Sequence, residues 1–294
     1  MKQTSLLSLL GLLLVPTLVL AQPAKVKVTN DIPYREAGPD MAKVPDYWKL
    51  DIAIPEGEGP FPAIVVIHGG GWRAGSRKGG MTKLMKLFAE KGFVSSSISY
   101  RLSQVAKFPA QIEDCKAAVR FLRANAKKFK IDPKKIGCVG FSAGGHLVCL
   151  LGAADKDADL EGDGGNLEQS SRVQAVVSFF GPTDFMTKRW DKKVEDYFFV
   201  PFLGGTYEKA KDQYIKASPL KYVSKDDPPY LFFHGDKDKL VGLHHSIDMD
   251  KALRKVGIDS ELVVMKGAAH GWGGDRMVKT LNQTVDFFVE KLKK

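Results

Sequence analysis

Cysteine is scarce in this chain. Only Cys115, Cys138 and Cys149 occur in 294 residues, an odd number without Cys-x-x-Cys or Cys/His spacing, which excludes a fully disulfide-stapled scaffold and a zinc site. All three sit in apolar contexts and are expected as buried free thiols, with a Cys115–Cys149 bridge as the alternative. Low-complexity tracts and internal repeats are missing too. With 44% hydrophobic and 27% charged residues, the chain falls outside the disordered and collagen-like classes. After the first 21 residues no run is long and apolar enough to span a bilayer. Acidic side chains are in deficit, 34 against 44 basic ones, for a net charge of +10. Such a surplus could address a polyanion. The lysines instead gather in short clusters (Lys127, Lys128 and Lys130; Lys134 and Lys135; Lys291 to Lys294) on helix-like or loop segments, and no nucleic-acid motif goes with them. The expectation is a solvated basic surface, no nucleic-acid partner and no stable membrane insertion.

What is present begins with a leader. Lys2 precedes a Leu-rich run from Leu6 to Leu20, and Val19-Leu20-Ala21 stands before Gln22. This reads as a signal peptide over residues 1–21, cleaved on export to a secreted or periplasmic location. Pro16 and the short apolar length disfavour an uncleaved anchor. The remainder, 22–294, reads as one α/β domain, because strand-like and helix-like segments alternate as in a mostly parallel central sheet with helices on both faces. Strands are expected at Tyr47–Ile54, Ala63–Ile67, Phe93–Tyr100, Lys135–Val139, Val173–Phe180, Tyr230–His234 and Ser260–Met265. Helices are expected over Thr82–Lys91, Pro109–Lys128, from about Gly145, and over Asp275–Leu292. Residues 183–227 break the alternation. They are rich in aromatics and too long for a plain connection, and read as a partly helical, lid-like insertion over the carboxyl edge of the sheet, before the acid-bearing strand.

Gly140-Phe141-Ser142-Ala143-Gly144 lies between a strand and a helix. That is the nucleophile-elbow pattern, in which small residues on either side let a strained turn expose a serine hydroxyl above the sheet. His68-Gly69-Gly70-Gly71 follows a buried strand, and the N–H groups of Gly70, Gly71 and Ala143 are candidates for an oxyanion hole. His234-Gly235-Asp236-Lys237-Asp238 offers two acids. Asp238 lies further out beyond the strand and is favoured, whereas Asp236 can cap the turn. His270 follows the last strand and completes the chain order Ser142, Asp238, His270. The histidines at 68, 146, 234, 244 and 245 read as structural. Arg101 and Asp114 are expected to pair within the scaffold.

On HGGGW (68–72), SYRLS (99–103), GFSAGGH (140–146), FFGPTDF (179–185), HGDKD (234–238) and AAHGW (268–272), the chain resembles the α/β-hydrolase superfamily. The likeness is to its branch of small acetyl esterases and lipases, which includes feruloyl and acetyl-xylan esterases. The resemblance implies a carboxylic-ester hydrolase that forms an acyl-enzyme on Ser142, with no metal and no organic cofactor. Its partner would be a small-molecule or polysaccharide ester, short-acyl or feruloyl, including side groups of plant polysaccharides. An exported amidohydrolase, either an arylformamidase or a small peptidase, could use the same triad. Trp72, Phe141 and Trp272 are the expected substrate-binding residues. An acidic stretch from Asp157 to Glu168 partly fits a calcium loop, but a strand follows where a helix is needed, so a solvated loop is expected.

Overall fold

The computed structural model describes residues 25–35, 44–155 and 158–294. The expected signal peptide at 1–21 and Asp157 of the acidic stretch lie outside the described residues. Eight strands form one sheet: β1 (Val26–Pro33), β2 (Lys49–Pro55), β3 (Phe61–Ile67), β4 (Val94–Ile98), β5 (Ile131–Phe141), β6 (Ala175–Phe179), β7 (Tyr230–Gly235) and β8 (Ser260–Met265). Their spatial order is β1-β2-β4-β3-β5-β6-β7-β8. The two pairings made by β2 are antiparallel and all others are parallel. The helices are α1 (Gly80–Glu90), α2 (Ala110–Ala124), α3 (Ala126–Phe129), α4 (Ala143–Ala153), α5 (Lys192–Val194), α6 (Val200–Leu203), α7 (Tyr207–Lys216), α8 (His244–Lys255) and α9 (Gly274–Leu292).

The apolar run of β3 serves both faces of the sheet, because successive side chains of a strand point to opposite sides. Ile64 and Val66 join Phe88 of α1 and Phe288 of α9 in one layer. Ala63, Val65 and Ile67 face the other way, toward Ile112 of α2, Leu147 of α4 and Leu253 of α8. These two layers correspond to the expected α/β-hydrolase architecture. The strand absent from the sequence reading is β1, half of whose residues are exposed and none fully buried. Its Val26 and Val28 pack on Ala53, Met85 and Ala89, an apolar signal too thin and too close to the leader to be read as an edge strand.

Buried charges brace the scaffold around the site. Arg77, fully buried, donates from Nε to Asp51 Oδ1 at 3.0 Å and through its other nitrogens to Asp31 and Asp46, tying the loop after the glycine run to β1 and β2. Arg101 grips Asp114 with two bonds of 2.8 Å, and Trp48 Nε1 adds a third at 3.1 Å. Part of the acidic stretch is not solvated. Glu161 is held by Lys116 and Arg120, both buried on α2, at 2.7 Å each, and Asp159 pairs with Lys216. Glu161 thus answers buried cations of its own chain, whereas Asp159 itself stays exposed. Among the described residues no cluster of His, Cys, Asp and Glu has the arrangement of a metal site. Cys115, Cys138 and Cys149 are buried free thiols, and burial raises the pKa of all three.

Residues 183–227 contain α5, a π-helical turn at Glu195–Phe199, α6, α7 and a 3-10 turn at Pro219–Tyr222. Phe185, Phe199 and Phe202 from this segment cluster around Trp72, which puts the segment against the glycine run at the carboxyl ends of the strands.

Candidate active site

Ser142 stands between the end of β5 and the start of α4 with φ +53° and ψ −117°, a region that L-residues enter only where the surroundings enforce it. The enforcement comes from backbone crowding. A Cβ on Gly140 would lie 2.2 Å from Gly144 O, and one on Gly144 would lie 2.3 Å from Ile67 O. Only glycine fits at either position, so β5 can turn into α4 directly above β3.

The acid and the histidine arrive on loops after β7 and β8. His270 Nε2 lies 2.8 Å from Ser142 Oγ, and His270 Nδ1 lies 2.7 Å from Asp238 Oδ2. Asp238 Oδ1 accepts the N–H groups of Leu240 and Val241, both at 2.9 Å. The Asp238 side chain is fully buried, and the buried His234 ring lies 3.4 Å from its Oδ2. Burial alone would raise its pKa, but hydrogen bonds from His234, His270 and Val241 outweigh that and hold it well below the usual carboxylate range. Asp236 does something else: its Oδ1 accepts Gly267 N–H at 2.7 Å. It fastens the acid loop to the histidine loop, and Lys237 N–H adds a bond to Ala268 O at 2.9 Å.

Ser142 and His270 open into a cleft of about 290 Å³ lined also by Gly70, Gly71, Trp72 and Ala143. The three oxyanion-hole candidates therefore share one cavity with the hydroxyl. Trp72 lines the cleft, yet it is only 3% exposed. Its indole stacks on Phe202 at 4.2 Å and donates to His146 Nδ1 at 3.2 Å, so its ring is committed to the protein. Phe141 and Trp272, expected at the cleft wall, lie elsewhere. Phe141 stacks on Phe179 and faces a groove between α1 and α9 with Met81, Leu84 and Leu281. It shares strand parity with Val139, which packs in that same layer. Trp272 turns back onto Phe180 and donates to Thr280 Oγ1 at 3.1 Å.

The apolar walls that the sequence reading missed are Phe180, Pro182, Val194, Phe198, Leu240 and Val241. Two of them have a local signal, because Leu240 and Val241 lie two and three residues after Asp238 and present their N–H groups to its Oδ1. Phe198 comes from the insertion, and its ring lies where a Cβ on Gly71 would be, 2.4 Å away. Spacing along the chain carries no trace of that contact.

Four further histidines are wired into the scaffold. His146 Nε2 donates to Ala217 O at 2.7 Å, and His245 Nδ1 accepts the N–H groups of Thr183 and Asp184 at 3.2 Å each. His234 bridges Ser246 Oγ and Val241 O at 2.7 and 2.8 Å. His68 stacks on Tyr100 at 4.2 Å. Burial pushes the pKa of His68 and His146 down to about 4 and that of His245 down to about 3, so all three are neutral near pH 7.

Several known proteins similar to this chain are named as esterases. The Mycobacterium tuberculosis protein named probable carboxylic ester hydrolase LipM is 31% identical over 89% of this chain and 61% of its own length. A bifunctional GH43-CE protein of Bacteroides eggerthii superposes with a TM-score of 0.80 at 35% identity, over 90% of this chain and 38% of that one. A truncated carbohydrate esterase from gut microbiota matches with a TM-score of 0.80 at 30% identity, over 93% and 99% of the two chains. The chain spans 53% to 61% of the length of the three mycobacterial esterases it matches. The BD-FAE family model covers residues 50–253, from β2 to the last turn of α8 and including Ser142 and Asp238; the chain belongs to the BD-FAE family, on an α/β-hydrolase fold.

Proposed function

We propose that this protein is an exported serine esterase that hydrolyses carboxylic esters through an acyl-enzyme on Ser142. The observation that carries the reading is the unbroken line from Asp238 through His270 to Ser142, with bonds of 2.7 and 2.8 Å. His270 Nε2 takes the hydroxyl proton as Oγ attacks the ester carbonyl carbon. The oxyanion that forms is met by the N–H groups of Ala143 and of Gly70 or Gly71, a contribution of about 3 kcal/mol per donor in comparable sites. The C–O bond to the alcohol then breaks, and the alcohol leaves with the proton held on His270. Water, deprotonated by His270, attacks the acyl carbon and releases the acid. Asp238, ionised throughout, orients the imidazole and stabilises its charged form.

The cleft volume of about 290 Å³ lies at the small end for ligand sites. Together with the Phe198 ring against Gly71, it favours short acyl groups over feruloyl. The kinship with carbohydrate esterases supports polysaccharide side groups as the source of the ester. The leader reading supports export. A panel of acetyl, butyryl and feruloyl esters with an aryl formamide, assayed on wild type and Ser142→Ala, tests the proposal. Acetyl or butyryl turnover that vanishes in Ser142→Ala is expected. Equal turnover by both proteins would remove Ser142 as nucleophile, and faster formamide than ester cleavage would make the enzyme an amidohydrolase.

A further inference from the structure

Beside the cleft, on the far side of Val194 and Phe198, lies a second groove of about 540 Å³ formed by Lys193, Asp196 and Tyr197 together with those two residues. It therefore meets the cleft along a shared wall. Tyr197 is 58% exposed, the most exposed large hydrophobic side chain among the described residues. One face of its ring is covered by the Arg73 guanidinium at 4.1 Å. Arg73 also donates to the Tyr197 carbonyl at 2.9 Å, and the Phe198 ring meets it edge-on at 4.7 Å. The ring is thus held in place at the expense of one face, and its exposure comes from the other. A fixed, open aromatic face flanked by charged hydrogen-bonding groups is the arrangement that receives a pyranose: the sugar's C–H face lies on the ring and its hydroxyls reach the rim.

We propose that this groove is the leaving-group subsite, in which Tyr197 stacks the sugar ring of a carbohydrate ester while the acyl group occupies the inner cleft. The assignment rests on the esterase reading and deepens it. The reaction itself divides the two spaces. The acyl group stays bonded to Ser142 Oγ between the two half-reactions and needs the apolar cleft, whereas the alcohol must depart and needs the open side. Beside the Tyr197 ring, the Lys193 ammonium and the Asp196 carboxylate, which Lys192 also holds at 2.7 Å, stand where the hydroxyls of a sugar would find partners.

The test compares esters that share one acyl group. Acetylated xylo-oligosaccharide, ethyl acetate and cyclohexyl acetate are assayed on wild type, Tyr197→Ala and Tyr197→Trp. Tyr197→Ala is expected to lower kcat/KM on the oligosaccharide about five- to tenfold, the size of one stacking contact. Ethyl acetate should change less than twofold, and Tyr197→Trp should restore the oligosaccharide value. An equal loss on cyclohexyl acetate would mean a plain apolar site and overturn the sugar assignment, and an unchanged oligosaccharide value would overturn the subsite. Binding of the oligosaccharide to Ser142→Ala and to Ser142→Ala/Tyr197→Ala, measured by calorimetry, separates the two readings. A weaker Kd in the double variant supports the subsite even if no ester is turned over, and equal Kd values sink it while leaving the esterase intact.

Discussion

The loops that carry Ser142, Asp238 and His270 and the insertion that shares their cleft are held by different forces. Around the triad the backbone is pressed against backbone: Gly235 stands so close to Ala268 and Ala269 that a Cβ would lie 2.3 Å from a carbonyl oxygen, and Asp236 ties the two loops through Gly267. The insertion is held by aromatic packing around Trp190, Phe199 and Tyr214 and by exposed pairs such as Lys188 with Glu208 and Lys192 with Asp196. Water screens exposed pairs of this kind, so they add little. Positions that the proposed acyl transfer needs held within a fraction of an ångström rest on the rigid half, and the cleft walls Val194 and Phe198 rest on the adaptable half.

The largest effects should therefore separate residues within the rigid half by role. Asp238→Asn leaves the shape but removes the charge opposite the imidazolium, and should lower kcat by roughly 10³- to 10⁴-fold. Asp236→Asn keeps a carbonyl oxygen for Gly267 N–H and should stay within about threefold of wild type. Steady-state kinetics on one acetyl ester decides between them. Similar losses in both variants would mean that Asp236 shares the role assigned to Asp238, and that the buried acid alone does not orient His270.

A stability measurement sharpens the contrast between the halves. Gly144→Ala would drive a Cβ to 2.3 Å from Ile67 O and 2.6 Å from His68 O, atoms fixed in the sheet that cannot retreat. A loss of about 3 kcal/mol or more is expected in urea denaturation, or failure to fold. Gly204→Ala, at the end of α6, meets nothing within 4 Å but must hold φ at +89°, a cost of about 1 kcal/mol. If the two variants lose equal stability, the elbow is no more rigid than the insertion.

The same division governs what could be read without coordinates. Seven strands and the elbow are legible because β3, β7 and the second half of β5 bury both faces, which constrains their composition, and because Gly140, Ser142 and Gly144 answer local steric demands. Ser260–Met265 of β8 coincides with the expected span. β1 escaped because its exposed side chains carry almost no apolar pattern. Phe141 stands next to Ser142 in sequence, but its parity with Val139 points it to the α1–α9 face. Trp272 follows His270 by two residues, yet there the loop has already turned back onto Phe180. Phe198 and Tyr197 reach the site only through the path of the insertion, which depends on long-range aromatic packing rather than on local spacing.

Acid should act on the join between the two halves, with the smallest effect of the three. His146 holds Ala217 near the end of the insertion and His245 holds Thr183 and Asp184 at its start, and with His68 they have pKa values of about 4, 3 and 4 in the folded protein against about 6.5 in the unfolded chain. From pH 6.5 down to about 4 the unfolded state binds more protons, so stability rises with pH across this window and is lost on acidification, by at most about 1.4 kcal/mol per unit for each histidine. Asp227 works against this, because burial raises its pKa to about 6 and its contribution improves as pH falls. Three groups against one leave a net loss of stability between pH 7 and pH 5, read as a lower Tm. A protonated His245 can no longer accept the Thr183 and Asp184 N–H groups, so the insertion should open before the sheet does. Hydrogen exchange at pH 7 and pH 5, corrected for intrinsic rates, should show amides of residues 183–223 losing protection while those of β5 keep it. A uniform loss across both regions would mean that the insertion and the catalytic loops unfold as one unit, and the distinction between a rigid half and an adaptable half would fail.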